Sequence, residues 1–136
     1  MGSKNKGTRA ERELFHMLWE NGWATMRSAG SGSTPLPSPD LISSNNERVI
    51  AIECKSINRN KKYFDKLEIS ELIKFSNMFG AEPWLAVRFD KFGWFFVTPE
   101  DLEKSSGGNP SLSLKCAMKK GLKFEEIIGI ENNKDT

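Results

Sequence analysis

Residues 48–56 are RVIAIECKS, and this stretch decides the fold predicted for the chain. The run from Val49 to Ile52 is apolar at every position, which is typical of a central strand buried on both faces of a sheet. Because side chains alternate along a strand, Glu53 and Lys55 share one face and Cys54 lies on the other. The buried strand therefore ends in charged groups that need a compensating partner.

A second acid precedes this strand. Pro39 and Asp40 are followed by 12 residues and then by Glu53, Cys54 and Lys55. Two carboxylates beside a lysine suit Mg²⁺, a hard cation that takes one or two carboxylates together with water and a substrate phosphate. The pattern is short, and the alternative is a surface ion pair between Glu53 and Lys55 at a strand end. The Gly/Ser/Pro-rich loop before Asp40 and the basic residues after Lys55 favour the metal site.

A third acid, Glu11, belongs to an apolar stripe of a predicted helix. The other members of the stripe are Leu14, Phe15 and Leu18. Glu11 is therefore predicted to point toward the sheet, whereas Glu13 lies about 200° away around the helix and is predicted to be solvated. Glu11 either stabilises the helix N-terminus or completes a carboxylate cluster with Asp40 and Glu53, and we favour the cluster.

Periodicity and turn residues predict the remaining elements. The predicted helices span residues 8–21, with Thr8 and Glu11 as a capping box, and residues 68–79. The predicted strands span residues 23–28, 40–43 and 48–56, followed by a hairpin of 84–89 and 94–98. Residues 57–66 and 105–110 are predicted loops, and 122–130 a weak strand or short helix. This order predicts an α/β fold with a mixed central β-sheet flanked by helices.

Length and composition limit the class of protein. The chain has 136 residues, of which 38% are hydrophobic and 28% charged, so we expect one globular domain over residues 1–130 and a disordered tail over 131–136. With no apolar run long enough for a membrane span and no secretory signal, a cytoplasmic protein without membrane contact is expected. Cys54 and Cys116 are predicted to be free thiols. The single histidine, His16, excludes a His-based triad and most zinc sites.

The net charge is only +2, but the basic residues are clustered. Such clusters on a nearly neutral chain predict a surface for a polyanion, the alternative being a solvated lysine-rich surface. Candidates for nucleic-acid binding are Lys4, Lys6, Arg9, Arg12, Arg59, Lys61 and Lys62.

The chain resembles a known family over about residues 6–96. The matching segments are Lys6-Gly7, Ala10-Glu11-Arg12-Glu13-Leu14, Arg27-Ser28-Ala29-Gly30-Ser31, Pro39-Asp40-Leu41, Ile52-Glu53-Cys54-Lys55, Phe79-Gly80, Ala86-Val87-Arg88-Phe89, Trp94 and Phe96. They are similar to the archaeal Holliday junction resolvases of the Hjc type. These enzymes belong to the nuclease superfamily with the PD-(D/E)xK motif, so the resemblance implies a restriction-endonuclease-like nuclease fold.

The resemblance also implies roles for individual residues. Its metal ligands fall on Glu11, Asp40 and Glu53 with the backbone carbonyl of Cys54, and its catalytic lysine falls on Lys55. Its essential arginines, which would grip phosphates, fall on Arg12 and Arg27. A serine of its junction-contacting loop falls on Ser31 or Ser33, and its dimer contact falls on the helix that carries Leu72, Phe75 and Phe79.

The function expected from the resemblance is Mg²⁺-dependent cleavage of four-way DNA junctions by a homodimer, in homologous recombination and repair. Mn²⁺ is expected to substitute for Mg²⁺, and other recombination or replication proteins are possible partners. Three alternatives stay open. They are an endonuclease of the same superfamily that cuts duplex DNA or RNA, a nucleic-acid-binding module without catalysis, and a structural dimer.

Overall fold

The computed structural model describes residues 2–28, 36–104 and 107–129, with side chains from residue 7 onward. Four α-helices lie in this part of the chain: α1 (Gly2–Glu20), α2 (Lys66–Phe79), α3 (Leu114–Lys120) and α4 (Phe124–Ile127). Its strands are β1 (Ala24–Arg27), β2 (Leu41–Ser44), β3 (Val49–Ile57), β4 (Lys61–Tyr63), β5 (Glu82–Phe89), β6 (Gly93–Val97) and β7 (Ser111–Ser113). The predicted tail, residues 131–136, lies outside the described residues.

The central sheet has five strands in the order β1-β2-β3-β5-β6. β3 and β5 are parallel, because α2 crosses over between them, and the other neighbouring pairs are antiparallel. The predicted mixed sheet with flanking helices is confirmed, and so are the hairpin and the central position of β3.

Both faces of β3 are buried, as its apolar run predicts. Ile50 and Ile52 belong to a cluster packed under α1 with Leu14, Leu18 and Trp23. Ala51 and Ile57 belong to a second cluster, packed under α2 with Ile69, Leu72 and Phe89. Glu53 and Lys55 have the same parity as Ala51 and Ile57, so the charged end of β3 lies on the α2 face of the sheet.

The start of α1 corrects one prediction. The helix begins at Gly2 rather than at residue 8, so Thr8 and Glu11 are inside it and do not form a capping box. The local pattern was misleading because a Thr and a Glu three residues apart also fit the interior of a helix.

Helix α2 begins and ends at recognisable caps. The Oδ1 atom of Asp65 accepts a hydrogen bond from the Leu67 N–H at 2.9 Å, which satisfies a donor that the first turn leaves free. Gly80 ends the helix with φ of 83°, a left-handed conformation that glycine adopts without strain. The helix packs on β3 and β5 through Ile69 and Leu72, which fixes its first turn beside the end of β3.

The predicted basic loop over residues 57–66 contains a short strand. β4 pairs with β7 as a separate two-stranded antiparallel sheet. The local pattern gave no sign of this pairing because lysines are poor strand formers and the partner strand is distant in sequence. In the described part of the chain no helix has the length and apolar character that crossing a membrane requires.

Candidate active site

The register between β2 and β3 brings two acids together. Leu41 is opposite Ile52 in this antiparallel pair, so Asp40 and Glu53 are the next pair at the end of the ladder. The Oδ2 atom of Asp40 accepts a hydrogen bond from the Cys54 N–H at 2.8 Å. Glu53 is only 9% exposed. The predicted pairing of these two acids on neighbouring strands is therefore present in the structure.

Lys55 reaches the same region from β3. Its Nζ atom donates a hydrogen bond to the Oε2 atom of Glu68, in the first turn of α2, at 2.8 Å. Glu68 was not among the residues predicted to form the site. Its only sequence signal is an acid three residues after Asp65, a pattern that marks a helix start rather than a lysine partner.

A cavity of about 250 Å³ opens beside these side chains. Its lining is mostly polar and consists of Ser38, Asp40, Glu53, Asp65, Leu67, Glu68, Glu71 and Leu72. The acids of the cavity come from the β2–β3 hairpin and from the start of α2. An excess of carboxylates in a partly buried cavity is unfavourable unless a cation compensates it.

The pKa values of the site show the effect of this crowding. Burial raises the pKa of Glu53 to about 8, and the charges of Asp40 and Glu68 act in the same direction. Burial also raises the pKa of Asp40, although the hydrogen bond from the Cys54 N–H opposes the rise. Burial disfavours the charged form of Lys55, but the hydrogen bond to Glu68 and the surrounding carboxylates raise its pKa overall. Among the described residues, the positive charge near the two acids therefore does not offset the effect of their burial.

The two acids fit a bound Mg²⁺ ion. Asp40 and Glu53 would supply two carboxylate ligands, a number that Mg²⁺ accepts when water and phosphate complete its shell. Within residues 2–28, 36–104 and 107–129, no group of three or more His, Cys, Asp or Glu side chains is arranged to hold a metal ion. The site thus consists of two carboxylates rather than a complete cage, and a role for the Cys54 carbonyl stays a prediction.

Glu11 points toward the sheet, as its position on the apolar stripe predicts, but its carboxylate already forms an ion pair with an arginine. Arg27 on β1 donates to its Oε2 atom from Nε at 2.9 Å and from Nη2 at 2.6 Å. The negative charge of Glu11 also contributes to the raised pKa of Asp40. Glu11 and Arg27 therefore adjoin the acid pair as an ion pair, and their roles in metal and phosphate binding stay predictions.

Glu13 is exposed, as predicted, but its carboxylate also contacts the neighbouring strands. Its Oε1 atom accepts hydrogen bonds from Trp94 Nε1 at 2.6 Å and from Arg88 Nε at 3.0 Å. This contact joins α1 to the β5–β6 hairpin at the rim of the sheet. Helical periodicity predicted the direction of the Glu13 side chain relative to the apolar stripe. It did not predict the contact with β5 and β6, which are distant in sequence.

The predicted DNA-binding residues whose side chains the structure describes are exposed or half-buried. Arg12, Arg59 and Lys61 are exposed, and Lys62 is half-buried. Arg9 is exposed and lines a cavity of about 250 Å³ at the edge of α1. The side chains of Lys4, Lys6, Ser31 and Ser33 lie outside the described residues. Contact with DNA stays a prediction for this whole set.

Two of the three residues predicted for a dimer contact have exposed surface. Phe75 is half-buried, Phe79 is 56% exposed, and their rings stack with centroids 5.1 Å apart. Leu72 is only 3% exposed and packs in the core of its own chain, so its assignment to the contact is corrected. Met78, which is 81% exposed, takes its place in the α2 apolar face, defined here as Phe75, Met78 and Phe79.

The fold and the site together define a nuclease of the class in which two acids and a lysine meet at the end of a central strand. A family model described as archaeal Holliday junction resolvase (Hjc) matches residues 2–136. The chain belongs to this family. The match extends beyond Phe96, where the resemblance seen in the sequence ended, and it confirms the predicted class of enzyme, an endonuclease.

Individual relatives agree with the family. The chain is 38% identical over 132 residues to the crossover junction endodeoxyribonuclease Hjc of Archaeoglobus fulgidus, covering 93% of this chain and 97% of the relative. It is 41% identical over 124 residues to the enzyme of the same name from Methanocaldococcus jannaschii, covering 91% and 87%. The solved structure of A. fulgidus Hjc, described as a Holliday junction resolvase, superposes with a TM-score of 0.84 at 33% identity and covers 90% of this chain and 100% of that one.

Proposed function

We propose that this protein is a structure-selective endodeoxyribonuclease that resolves four-way DNA junctions by Mg²⁺-dependent hydrolysis of paired phosphodiesters. It acts as a homodimer in homologous recombination and repair. The observation that carries the proposal is that Asp40 and Glu53 line one cavity, with Lys55 paired to Glu68 of the same cavity, in a chain of the resolvase family.

The acid pair would hold the metal ion. Asp40 and Glu53 supply two oxygen ligands, and Glu11 and the Cys54 carbonyl are further candidates. When bound, a divalent cation polarises the phosphate, lowers the pKa of an attacking water and stabilises the leaving oxygen. Mn²⁺ has similar oxygen preferences and is expected to replace Mg²⁺.

Lys55 acts as a hydrogen-bond donor in this site. Its Nζ atom donates to the Glu68 carboxylate at 2.8 Å, and this ion pair favours the protonated form of the amine by raising its pKa. A protonated lysine orients a water or neutralises charge on the phosphate rather than taking a proton. Arg12 and Arg27 would bind phosphates through their planar guanidinium groups, and Arg27 would then exchange or share its contact with Glu11.

The α2 apolar face supports a homodimer. Phe75, Met78 and Phe79 line an apolar cavity of about 380 Å³ together with Leu36, Pro37 and Lys74. A four-way junction has approximate two-fold symmetry, and a C₂ dimer presents two identical sites to it. Selection would then depend on branch geometry, because phosphate contacts position a protein without reading sequence.

Digestion of an immobile four-way junction beside its component duplexes tests the activity. We expect Mg²⁺-dependent paired cuts in the junction and little cleavage of the duplexes. Glu53→Gln removes a metal ligand, whereas Glu47→Gln alters an exposed acid in the turn at the opposite end of the β2–β3 hairpin and serves as the matched control. Equal cleavage of plain duplex would refute junction selectivity, and full activity of Glu53→Gln would refute the metal site.

Sedimentation tests the dimer. The double variant Phe75→Asp with Phe79→Asp places two charges on the α2 apolar face and is expected to be monomeric and to lose paired cutting. The control is Phe92→Asp with Met118→Asp, because both residues are exposed apolar side chains outside that face. A dimeric and fully active Phe75/Phe79 variant contradicts the assignment.

A further inference from the structure

The contact between Lys55 and Glu68 links the catalytic strand to the next helix. It is a 2.8 Å ion pair between side chains that are only 25% and 29% exposed. Both residues are near the acid pair, since the charges of Lys55 and Glu68 act on Asp40 and on Glu53. The ammonium of Lys55 has a proposed role in cleavage, whereas its partner Glu68 has none.

We propose that Glu68 is a positioning residue that holds the Lys55 ammonium on the α2 side of the cavity and keeps it from pairing with the acids that bind the metal. The inference rests on the proposed function and deepens it, because it says how a lysine and a metal ion share one cavity. Glu68 is not proposed as a metal ligand.

The physical reason is competition for carboxylate oxygens. Lysine carries a compact charge on a flexible stem, so it pairs with whichever anion is nearest. The charges of three acids that line the cavity attract Lys55: Glu68, Glu53 and Asp40. If Glu68 lost its charge, the remaining attraction would draw the ammonium toward Glu53 and Asp40. The lysine would then occupy the oxygens that a cation needs and would leave the position in which it serves the phosphate.

The backbone of Glu68 is well placed for this task. Asp65 caps α2 through the Leu67 N–H at 2.9 Å, and the Ile69 N–H donates to the Asp65 carbonyl at 3.1 Å. Ile69 and Leu72 anchor the same turns in the core. An acid in the first turn is also favoured by the helix dipole. Glu68 thus extends from a fixed helix start, whereas the lysine that it holds is the flexible partner.

A double-mutant cycle read by Mn²⁺ binding tests the inference without relying on cleavage. Four proteins are titrated with Mn²⁺ by electron paramagnetic resonance: the unchanged chain, Glu68→Gln, Lys55→Met, and both substitutions together. We expect Glu68→Gln alone to raise the Mn²⁺ Kd about 5- to 10-fold, an effect of roughly 1 kcal/mol. In the Lys55→Met background the same change is expected to alter Kd less than twofold, because no ammonium remains to compete.

The outcomes separate the alternatives. Equal weakening in both backgrounds would mean that Glu68 acts on the metal itself, and no weakening in either would mean that it has no role; both overturn the inference. Glu71→Gln is the matched control, since Glu71 lines the same cavity one turn further along α2. If Glu71→Gln weakens Mn²⁺ binding as much as Glu68→Gln does, the effect is general electrostatics and the inference fails.

Junction cleavage adds a second readout. Glu68→Gln is expected to lower kcat about tenfold or more at saturating Mg²⁺ while KM for the junction stays within twofold, because a misplaced Lys55 affects chemistry rather than DNA binding. A rise in KM with kcat unchanged would contradict positioning. Absence of Mn²⁺ binding or junction cleavage by the unchanged chain would refute the proposed function itself, so the two failures are distinguishable.

Discussion

Two carboxylate sites adjoin opposite ends of β3, and the pKa values of their carboxyl groups shift in opposite directions. Near the start of the strand, Glu82 receives Arg48 Nε and Nη2 at 2.8 Å each and Trp84 Nε1 at 3.0 Å. The hydrogen bond from Arg48 lowers the pKa of Glu82 against the effect of burial. Near the other end, burial raises the pKa values of Asp40 and Glu53.

The difference indicates which site is complete within the chain. Glu82 has a bidentate arginine partner, and Arg48 also donates to the Ile127 carbonyl at 2.7 Å, which ties β3, β5 and α4 together. Among the described residues, the lysine whose charge acts on the acid pair is Lys55, and Glu68 already binds it. Charge that is satisfied internally serves stability, whereas charge that lacks a partner is available for a ligand, often at a loss of stability.

Cleavage gives the largest expected contrast between the two sites. Glu53→Gln is expected to lower the single-turnover rate of junction cleavage by at least about 100-fold, because it removes a proposed ligand of the metal that would stabilise the transition state. Glu82→Gln is expected to leave that rate within about threefold at a temperature where the fold is intact. Similar losses of cleavage rate in the two variants would show that the difference between the two carboxylate sites does not concern catalysis.

Metal binding should stabilise only one of the sites. Mg²⁺ at about 100 times its Kd is expected to raise the free energy of unfolding by roughly 2.7 kcal/mol, seen as an increase of several degrees in Tm. Asp40→Asn should abolish this increase, and Glu82→Gln should retain it. A Tm that responds to Mg²⁺ equally in Asp40→Asn would place the ion elsewhere.

The pH dependence of stability should have opposite signs at the two sites. Glu53 has a folded pKa of about 8, above its ordinary value of 4.5, so the metal-free folded state binds the extra proton and loses stability as pH rises through this range. Glu82 has a lowered pKa, so its contribution is lost as pH falls below about 4.5. Melting curves without metal from pH 4 to pH 9 check both.

The variants identify the sources of the two slopes. Metal-free Glu53→Gln is expected to be more stable than the unchanged chain above pH 8, and Glu82→Gln should remove the acid-side loss. If Glu53→Gln shows the same decline between pH 5 and pH 8 as the unchanged chain, another group is responsible.

The smallest expected effect is the loss of the Arg48–Glu82 contact at neutral pH. The pair is partly exposed, so screening limits its contribution, and Glu82→Gln is expected to lower the free energy of unfolding by about 1 kcal/mol. Urea unfolding at pH 7 measures this difference, with Glu47→Gln as the exposed control. A loss of several kcal/mol would indicate that the pair holds the sheet and α4 together more strongly than its exposure implies.

Sequence patterns predicted the features that depend on neighbouring residues. The apolar run of Val49–Ile52 identified the central strand, and the alternation after it placed Glu53 and Lys55 on one face. The register of a short hairpin then brought Asp40 beside Glu53, so the core of the site followed from local rules. The dimer contact stays a prediction. Periodicity found the apolar stripe of α2 but did not separate buried Leu72 from exposed Met78.

Other features depended on elements that are distant along the chain. The pairing of β4 with β7, the contact of Glu13 with Arg88 and Trp94, and the Arg27–Glu11 ion pair each join segments that no local pattern relates. The sequence by itself determined the nuclease motif and the central strand, because alternation and hydrophobic burial act over a few residues. Only the tertiary structure decided which acid binds Lys55 and which acids have no cationic partner among the described residues, because pairing between charges depends on distances that packing of α2 against β3 sets.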